Sequence, residues 1–305
     1  ASGSGLPKNI ELQVPAKAGG GTDVVARAIA TQVGKDSGSN LTVQNNTDGS
    51  GVVAMEKVRS AKPDASSLLF FHTTMLIKTA TGVYDHSAVD DFTVIAVGQG
   101  TEKTGYVLVV PGDSPYNTTE DLVEAAKAAP GSILMGVETG GSSHIMSGLF
   151  AKATGIDVKY VEAGSDTEKL TALVGGSINA ALVNQNQAKQ YVESGKAKAL
   201  GCFSVDETGG ESAILPGVTS FVDQGYDCTF TTLFLVLGPK DMKAETVTAL
   251  HDYFESAVVN PEVQNVLKPA GFDMTFFSQE EGLQKVKDQQ ESLNDVVDML
   301  GLKQK

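Results

Sequence analysis

Two short stretches carry residue types that could hold an anion: Gly19-Gly20-Gly21-Thr22-Asp23, preceded by Ala18, and Thr139-Gly140-Gly141-Ser142-Ser143-His144. Consecutive glycines let backbone amides approach a ligand closely, and hydroxyls add further donors. Each stretch reads as the join between a strand and a helix. The first amides of a helix have no intrahelical partner and lie at the positive end of its dipole, so strand, glycine loop and helix start together form an anion-binding device. A glycine triplet also serves as a plain tight turn, and one loop alone does not decide between the two. The recurrence of the device about a domain later is what favours binding, with the two loops expected to face each other across a cleft.

The elements that must position these loops follow from apolar spacing. Residues 10–14 alternate like a strand, Thr22 or Asp23 is expected to cap the next helix, and Val24, Val25, Ala28, Ile29 and Val33 recur on one helical face. A strand over 41–45, a loop over 46–51 and a helix over 52–61 continue the alternation. Residues 68–71 form an apolar run of buried-strand type that ends at His72-Thr73-Thr74, where a parallel strand would present residues to a ligand. The competing reading is that this polar triplet only satisfies the next helix start. A strand over 93–97, a polar loop over 98–105 and a strand over 106–111 come next.

Thr118 with Asp121 has capping-box spacing and marks a fresh start. A strand over 133–137 leads into the second glycine loop and a helix that turns Ile145, Met146, Leu149, Phe150 and Ala153 inward. A strand over 155–161 reaches the Glu162-Ala163-Gly164-Ser165 turn, and Ser165 with Glu168 is a second capping box. The strand over 178–183 ends in Asn184-Gln185-Asn186-Gln187, whose amides could read an acid or a hydroxyl, although such residues also serve plain helix starts. Residues 198–203 form a strand, 215–226 a long return connection, and 231–239 repeats the pattern of 106–111: apolar strand, proline, helix. A chain that crosses into a second domain and comes back produces such a pair. The expected lobes are 1–105 with 230–305, and 106–229, joined by two crossing strands as the hinge.

Composition narrows the function. The 305 residues are 41% hydrophobic with a net charge of −14, so nucleic acid and anionic membrane surfaces are repelled overall. Arg27 and Arg59 are the only arginines, which removes most routes to a guanidinium clamp and leaves amides and hydroxyls to hold an anion. Cys202 and Cys228 are compatible with one disulfide or with two buried thiols. His72, His86, His144 and His251 are scattered without ligand spacing, so neither a metal nor a cofactor is expected. No apolar run approaches a membrane span, and Ala1-Ser2-Gly3-Ser4-Gly5 has the look of an end left after signal removal. A serine hydrolase built on Ser142, Ser143 and His144 is disfavoured, because adjacent residues at a helix start point apart and no nucleophile elbow is present.

In order and spacing, these motifs resemble the Bug-type solute receptors of tripartite tricarboxylate transporters. The likeness runs through 15–27, 46–51, Pro63-Asp64, 140–144, Gly155 with Val161, 170–176, 215–218 with Gly225-Tyr226, and 260–263. It implies an α/β fold of two periplasmic-binding lobes, each a mostly parallel sheet flanked by helices, closing on a di- or tricarboxylate or an aromatic acid. It also implies an extracytoplasmic monomer with a membrane permease as partner. A receptor that reports to a signalling protein would use the same pocket. By the same resemblance, carboxylate oxygens fall to Gly19 through Asp23 and Thr139 through His144, with Ala163, Gly164 and Asn184 opposite. No carboxylate stands at Asn184, which argues against an amino group on the ligand.

Overall fold

The computed structural model describes residues 5–100 and 102–304; Thr101, in the expected loop, and 1–4, in the N-terminal stretch read above, lie outside them. The chain divides into two compact units, Ala1–Thr101 with Thr232–Asn294 and Lys303–Lys305, and Glu102–Thr231 with Asp295–Leu302.

In chain order the first unit builds β1 (Asn9–Val14), α1 (Gly21–Ser37), β2 (Asn40–Asn45), α2 (Val52–Arg59), β3 (Ser67–His72), α3 (Thr74–Thr81) and β4 (Phe92–Gly100). The second unit follows with β5 (Thr104–Pro111), α4 (Thr119–Ala128), β6 (Leu134–Val137), α5 (Ser142–Thr154), β7 (Lys159–Glu162), α6 (Asp166–Val174), β8 (Ala180–Asn184), α7 (Gln185–Glu193) and β9 (Ala197–Ser204). The chain then returns through β10 (Leu233–Pro239), α8 (Ala244–Val258), α9 (Pro261–Leu267), β11 (Met274–Phe276) and α10 (Gln279–Leu300).

The first sheet runs β11-β4-β10-β3-β1-β2 and the second β7-β6-β8-β5-β9. Chaining the pairings gives β1 to β4 one direction and β10 and β11 the other. In the second sheet β6 to β9 share a direction and β5 alone is reversed. The two strands with matching sequence patterns, β5 and β10, are thus each reversed and seated inside a sheet whose neighbours run the other way. Both end in proline, which donates no ladder hydrogen bond and closes the strand. Every residue of β10 is buried, as expected of an interior strand covered on both faces.

Helices cover the sheets through their apolar stripes. In the first unit Val25, Ile29 and Val33 of α1 join Leu12, Phe70, Leu250 and Phe254 in one core. The second sheet has a core on each face, one around Phe150, Phe203 and Phe221, the other around Leu170, Leu173 and Val183. Both capping boxes form, Thr118 with Asp121 at α4 and Ser165 with Glu168 at α6.

Several boundaries differ from the sequence reading. Residues 98–100 are strand, not loop: they extend β4 to pair with β11, and a side chain at Gly98 would come within 2.4 Å of Met274 Cε. The strand expected over 155–161 begins only at Lys159, because Gly155 is the left-handed cap of α5. The helix expected to end at 61 stops at Arg59. Cys202 and Cys228 are buried free thiols, and burial pushes Cys202 up to about 12.

Beyond Pro111, the Gly112 amide donates to the Lys196 carbonyl at 3.0 Å, and a Cβ at Gly112 would sit 1.9 Å from the Gly195 carbonyl oxygen. Backbone cannot rotate away as a side chain can. Gly112→Ala is therefore expected to cost about 1–3 kcal/mol, read as a fall in the denaturant midpoint; an unchanged midpoint would show that the 112 and 195 turns can separate freely.

Candidate functional site

In the first unit the glycine loop leaves the carboxyl end of β1 and enters α1. Gly19 has φ +81°, a conformation open to glycine, and its amide donates to Asp23 Oδ2 at 2.8 Å. Asn45, at the end of β2, donates from Nδ2 to Asp23 Oδ1 at 2.8 Å and to the Ala16 carbonyl at 3.0 Å. Arg27, one helical turn on, pairs with Asp23 through Nε at 2.9 Å and donates from Nη2 to Asn45 Oδ1 at 2.6 Å. Asp23 is 3% exposed. Its burial alone would raise its pKa, but the Gly19 amide, Asn45 and Arg27 outweigh that and hold the carboxyl below its ordinary value.

This corrects the cap expected from sequence. Gly20 occupies the N-cap position, Thr22 makes no cap bond, and Asp23 lies inside the first turn, folded back to brace the loop. What remains outward are the exposed or half-buried Ala18, Gly20, Gly21 and Thr22, and first-turn amides without intrahelical acceptors.

Gly21 has a second constraint: a Cβ there would lie 2.6 Å from Phe272 Cζ. The Phe272 ring meets Phe234 edge-on at 6.1 Å between centroids, and Phe234 meets His72 at 6.3 Å. An aromatic row thus leads from the end of β3 to the start of α1. Phe272 and Phe234 were invisible in the sequence as site residues, the first in a turn without periodicity, the second inside an apolar run.

His72 is half-buried, and its Nδ1 accepts from the Thr74 amide at 3.3 Å. Burial, reinforced by Lys78, pushes its pKa to about 4, so the imidazole is neutral at pH 7. Thr73 does not line the site by its hydroxyl: Oγ1 donates to Gln289 Oε1 at 2.7 Å and accepts from the Leu233 amide at 2.8 Å. Thr74 opens α3 and is half-buried.

In the second unit β6, β7 and β8 end side by side. After β6 the loop folds on itself: the Glu138 amide donates to Ser143 Oγ at 2.8 Å, Gly141 N to the Glu138 carbonyl at 2.9 Å, and Gly140 N to His144 Nδ1 at 3.2 Å. Ser143 and His144 are both buried, and the His144 ring packs on Tyr160 at 4.7 Å. Burial lowers the His144 pKa against the opposing pull of Glu162. Ser143 Oγ accepts from the Glu138 amide and His144 Nδ1 from the Gly140 amide, so both side chains serve the loop's own closure. Asn184 caps α7 through Oδ1 at 2.9 Å from the Asn186 amide, leaving its side-chain NH2 as the group able to donate outward. Its own amide is held by Asp166 Oδ2 at 3.0 Å, and Asp166 pairs with the buried Lys169 at 2.7 Å. Ala163 and Gly164 form the half-buried turn after β7, with Gly164 at φ +70°.

One of the histidines lies beside carboxylates that sequence spacing did not single out. His251 Nε2 faces the Phe277 carbonyl at 2.7 Å, and its ring lies beside Asp252 and Glu255.

The sequence matches, over residues 25–302, the family described as the tripartite tricarboxylate transporter family receptor. The chain belongs to that family. This receptor is 28% identical over 266 residues to a protein of Cupriavidus necator called "UPF0065 protein in gbd 5'region", covering 87% of the chain and 78% of that relative. Its fold is that of a TctC solute-binding protein from Polaromonas, with a TM-score of 0.82 and 24% identity over 95% of this chain and 98% of that one. It is also similar in fold to MatC from Rhodopseudomonas palustris, solved with bound malate, with a TM-score of 0.65 and 20% identity over 95% and 98% of the two chains. The family is one of solute-binding receptors, and no helix among the receptor's described residues is long and apolar enough to cross a membrane.

Because the Asp23 carboxyl is stabilised as an anion in the fold, its contribution is present above the unfolded carboxyl pKa and is lost as pH falls through the lowered folded value. Asp23→Asn is expected to cost about 1–3 kcal/mol at pH 7, with the gap to wild type narrowing by pH 3. Denaturant titrations at the two pH values check this; a gap independent of pH would mean that the charge of Asp23 is not what braces the loop.

Proposed function

We propose that this receptor captures a small organic acid outside the cytoplasm and hands it to the membrane permease of a tripartite transporter. The observation that carries the reading is the start of α1. Its first-turn amides have no intrahelical acceptors, while the one acidic side chain that could satisfy them, Asp23, is turned back onto Gly19, Asn45 and Arg27. The helix start therefore keeps its positive potential for an external anion. Both arginines are occupied within the chain, Arg27 by Asp23 and Arg59 by Glu56, so in the first unit the backbone amides and the Thr22 hydroxyl are the natural grip. The neutral His72 and the Phe234 and Phe272 rings beside it would suit the carbon skeleton of the acid. Malate bound to the R. palustris relative is consistent with a ligand of this class.

A thermal-shift panel of di- and tricarboxylates, hydroxy acids and aromatic acids tests the reading. A true ligand at 100 times its Kd is expected to add about 2.7 kcal/mol of stability, a rise of several degrees in Tm. Thr22→Leu should abolish that rise with the unliganded Tm unchanged; Ser143 is unsuited to the test, since its hydroxyl holds the Glu138 amide. A panel without any shift, or full binding by Thr22→Leu, would overturn the assignment.

A further inference from the structure

The amides of the second unit's strand-end loops are not idle. Thr139 N donates to Glu162 Oε2 at 2.8 Å and Gly164 N donates to Glu162 Oε1 at 2.9 Å, so two loops from two strands converge on one carboxylate of the chain itself. Glu162 is exposed. Neither loop needs that carboxylate to keep its shape. The β6–β7 ladder already fixes their spacing, with Val137 opposite Glu162 and the Ala163 amide donating to the Val137 carbonyl at 2.8 Å. The 138–144 loop is closed by Ser143, His144 and the Glu138 carbonyl. Thr139 N takes no acceptor within that loop, and Glu162 accepts it instead.

We propose that Glu162 is a resident carboxylate that occupies the place of a ligand carboxylate in the second unit, so that a bound acid must displace it. This rests on the receptor reading above and names the residue that sets its affinity and selectivity. An acid reaching these amides has two costs: the Glu162 bonds must be given up, and two like charges come within a few ångströms of each other. Between exposed like charges a few ångströms apart the repulsion is worth a severalfold loss of affinity at low salt, to which the loss of the two Glu162 bonds adds. Acids with a second, closely placed carboxylate suffer most, and those that present a hydroxyl to Glu162 suffer least.

The test compares wild type, Glu162→Ala and Glu162→Gln by calorimetry with succinate, malate, citrate and benzoate. Glu162→Gln keeps the side-chain size and one acceptor, and so reports even if the alanine variant folds poorly. The expected result is about tenfold tighter binding of the acid that wild type prefers, largest for Glu162→Ala, with a narrower gap between malate and succinate. Amide hydrogen exchange at Thr139 and Gly164 should be slow in unliganded wild type, faster in Glu162→Ala, and slow again once acid is bound. Equal or weaker binding by both variants, or exchange at these amides unaffected by the substitution, overturns the role of Glu162 while leaving the receptor reading intact. Acids that bind none of the three proteins overturn both.

Discussion

The first unit's loop depends on one buried carboxylate. A glycine-rich segment has little enthalpy of its own with which to resist disorder, and a backbone at positive φ is costly for any residue but glycine. Asp23 answers both demands by accepting the Gly19 amide while being held by Asn45 from the neighbouring strand and Arg27 from the next helical turn. The carboxylate gives the loop its order and is turned away from the first-turn amides of α1. Had Asp23 capped α1 outward, the helix start would have been neutralised by its own chain.

The same economy governs the rest of the charge. In an acidic chain with two arginines, each guanidinium is spent on an internal carboxylate, and the buried Lys169 is spent on Asp166 and the Leu182 carbonyl. A buried ion pair adds little net stability but is expensive to break, so its value here is positional. It fixes the Asp166 carboxylate under the Asn184 amide, and with it the end of β8. If the ligand is the acid proposed above, its recognition falls largely to partial charges, which are weaker than full ones and more exacting about geometry.

Much of this architecture was legible in the sequence because it rests on local signals. Strand patterns, glycine turns and the Thr118–Asp121 and Ser165–Glu168 boxes each act over a few residues, and they gave the two-sheet α/β fold. The likeness between the 106–111 and 231–239 stretches reflected a real equivalence, since both became a reversed strand in the interior of a sheet. What escaped depends on partners distant in sequence. Gly98 to Gly100 looked like loop because the strands that hold them extended, β10 and β11, both lie far along the chain. Asp23 looked like a cap because Asn45 was not visible as its partner. Thr73 looked free because its partners, Gln289 and the Leu233 amide, lie far along the chain, and Phe272 declared itself only through the glycine against which it is pressed.

The reversed strands also order events in time. β10 inserts between β3 and β4, which precede it by well over a hundred residues, so the first sheet stays split until the chain has been made through Pro239. The second unit carries all five of its strands in one unbroken stretch, 104–204. Domains generally fold as units, starting from the N-terminal side as synthesis proceeds. Here the N-terminal side cannot finish first, because its apolar β3, with Leu68 through Phe71, lacks a neighbour that has not yet been translated. Until β10 is in place the apolar edge of β3 has no partner on that side, so the second unit can close its sheet before the first does.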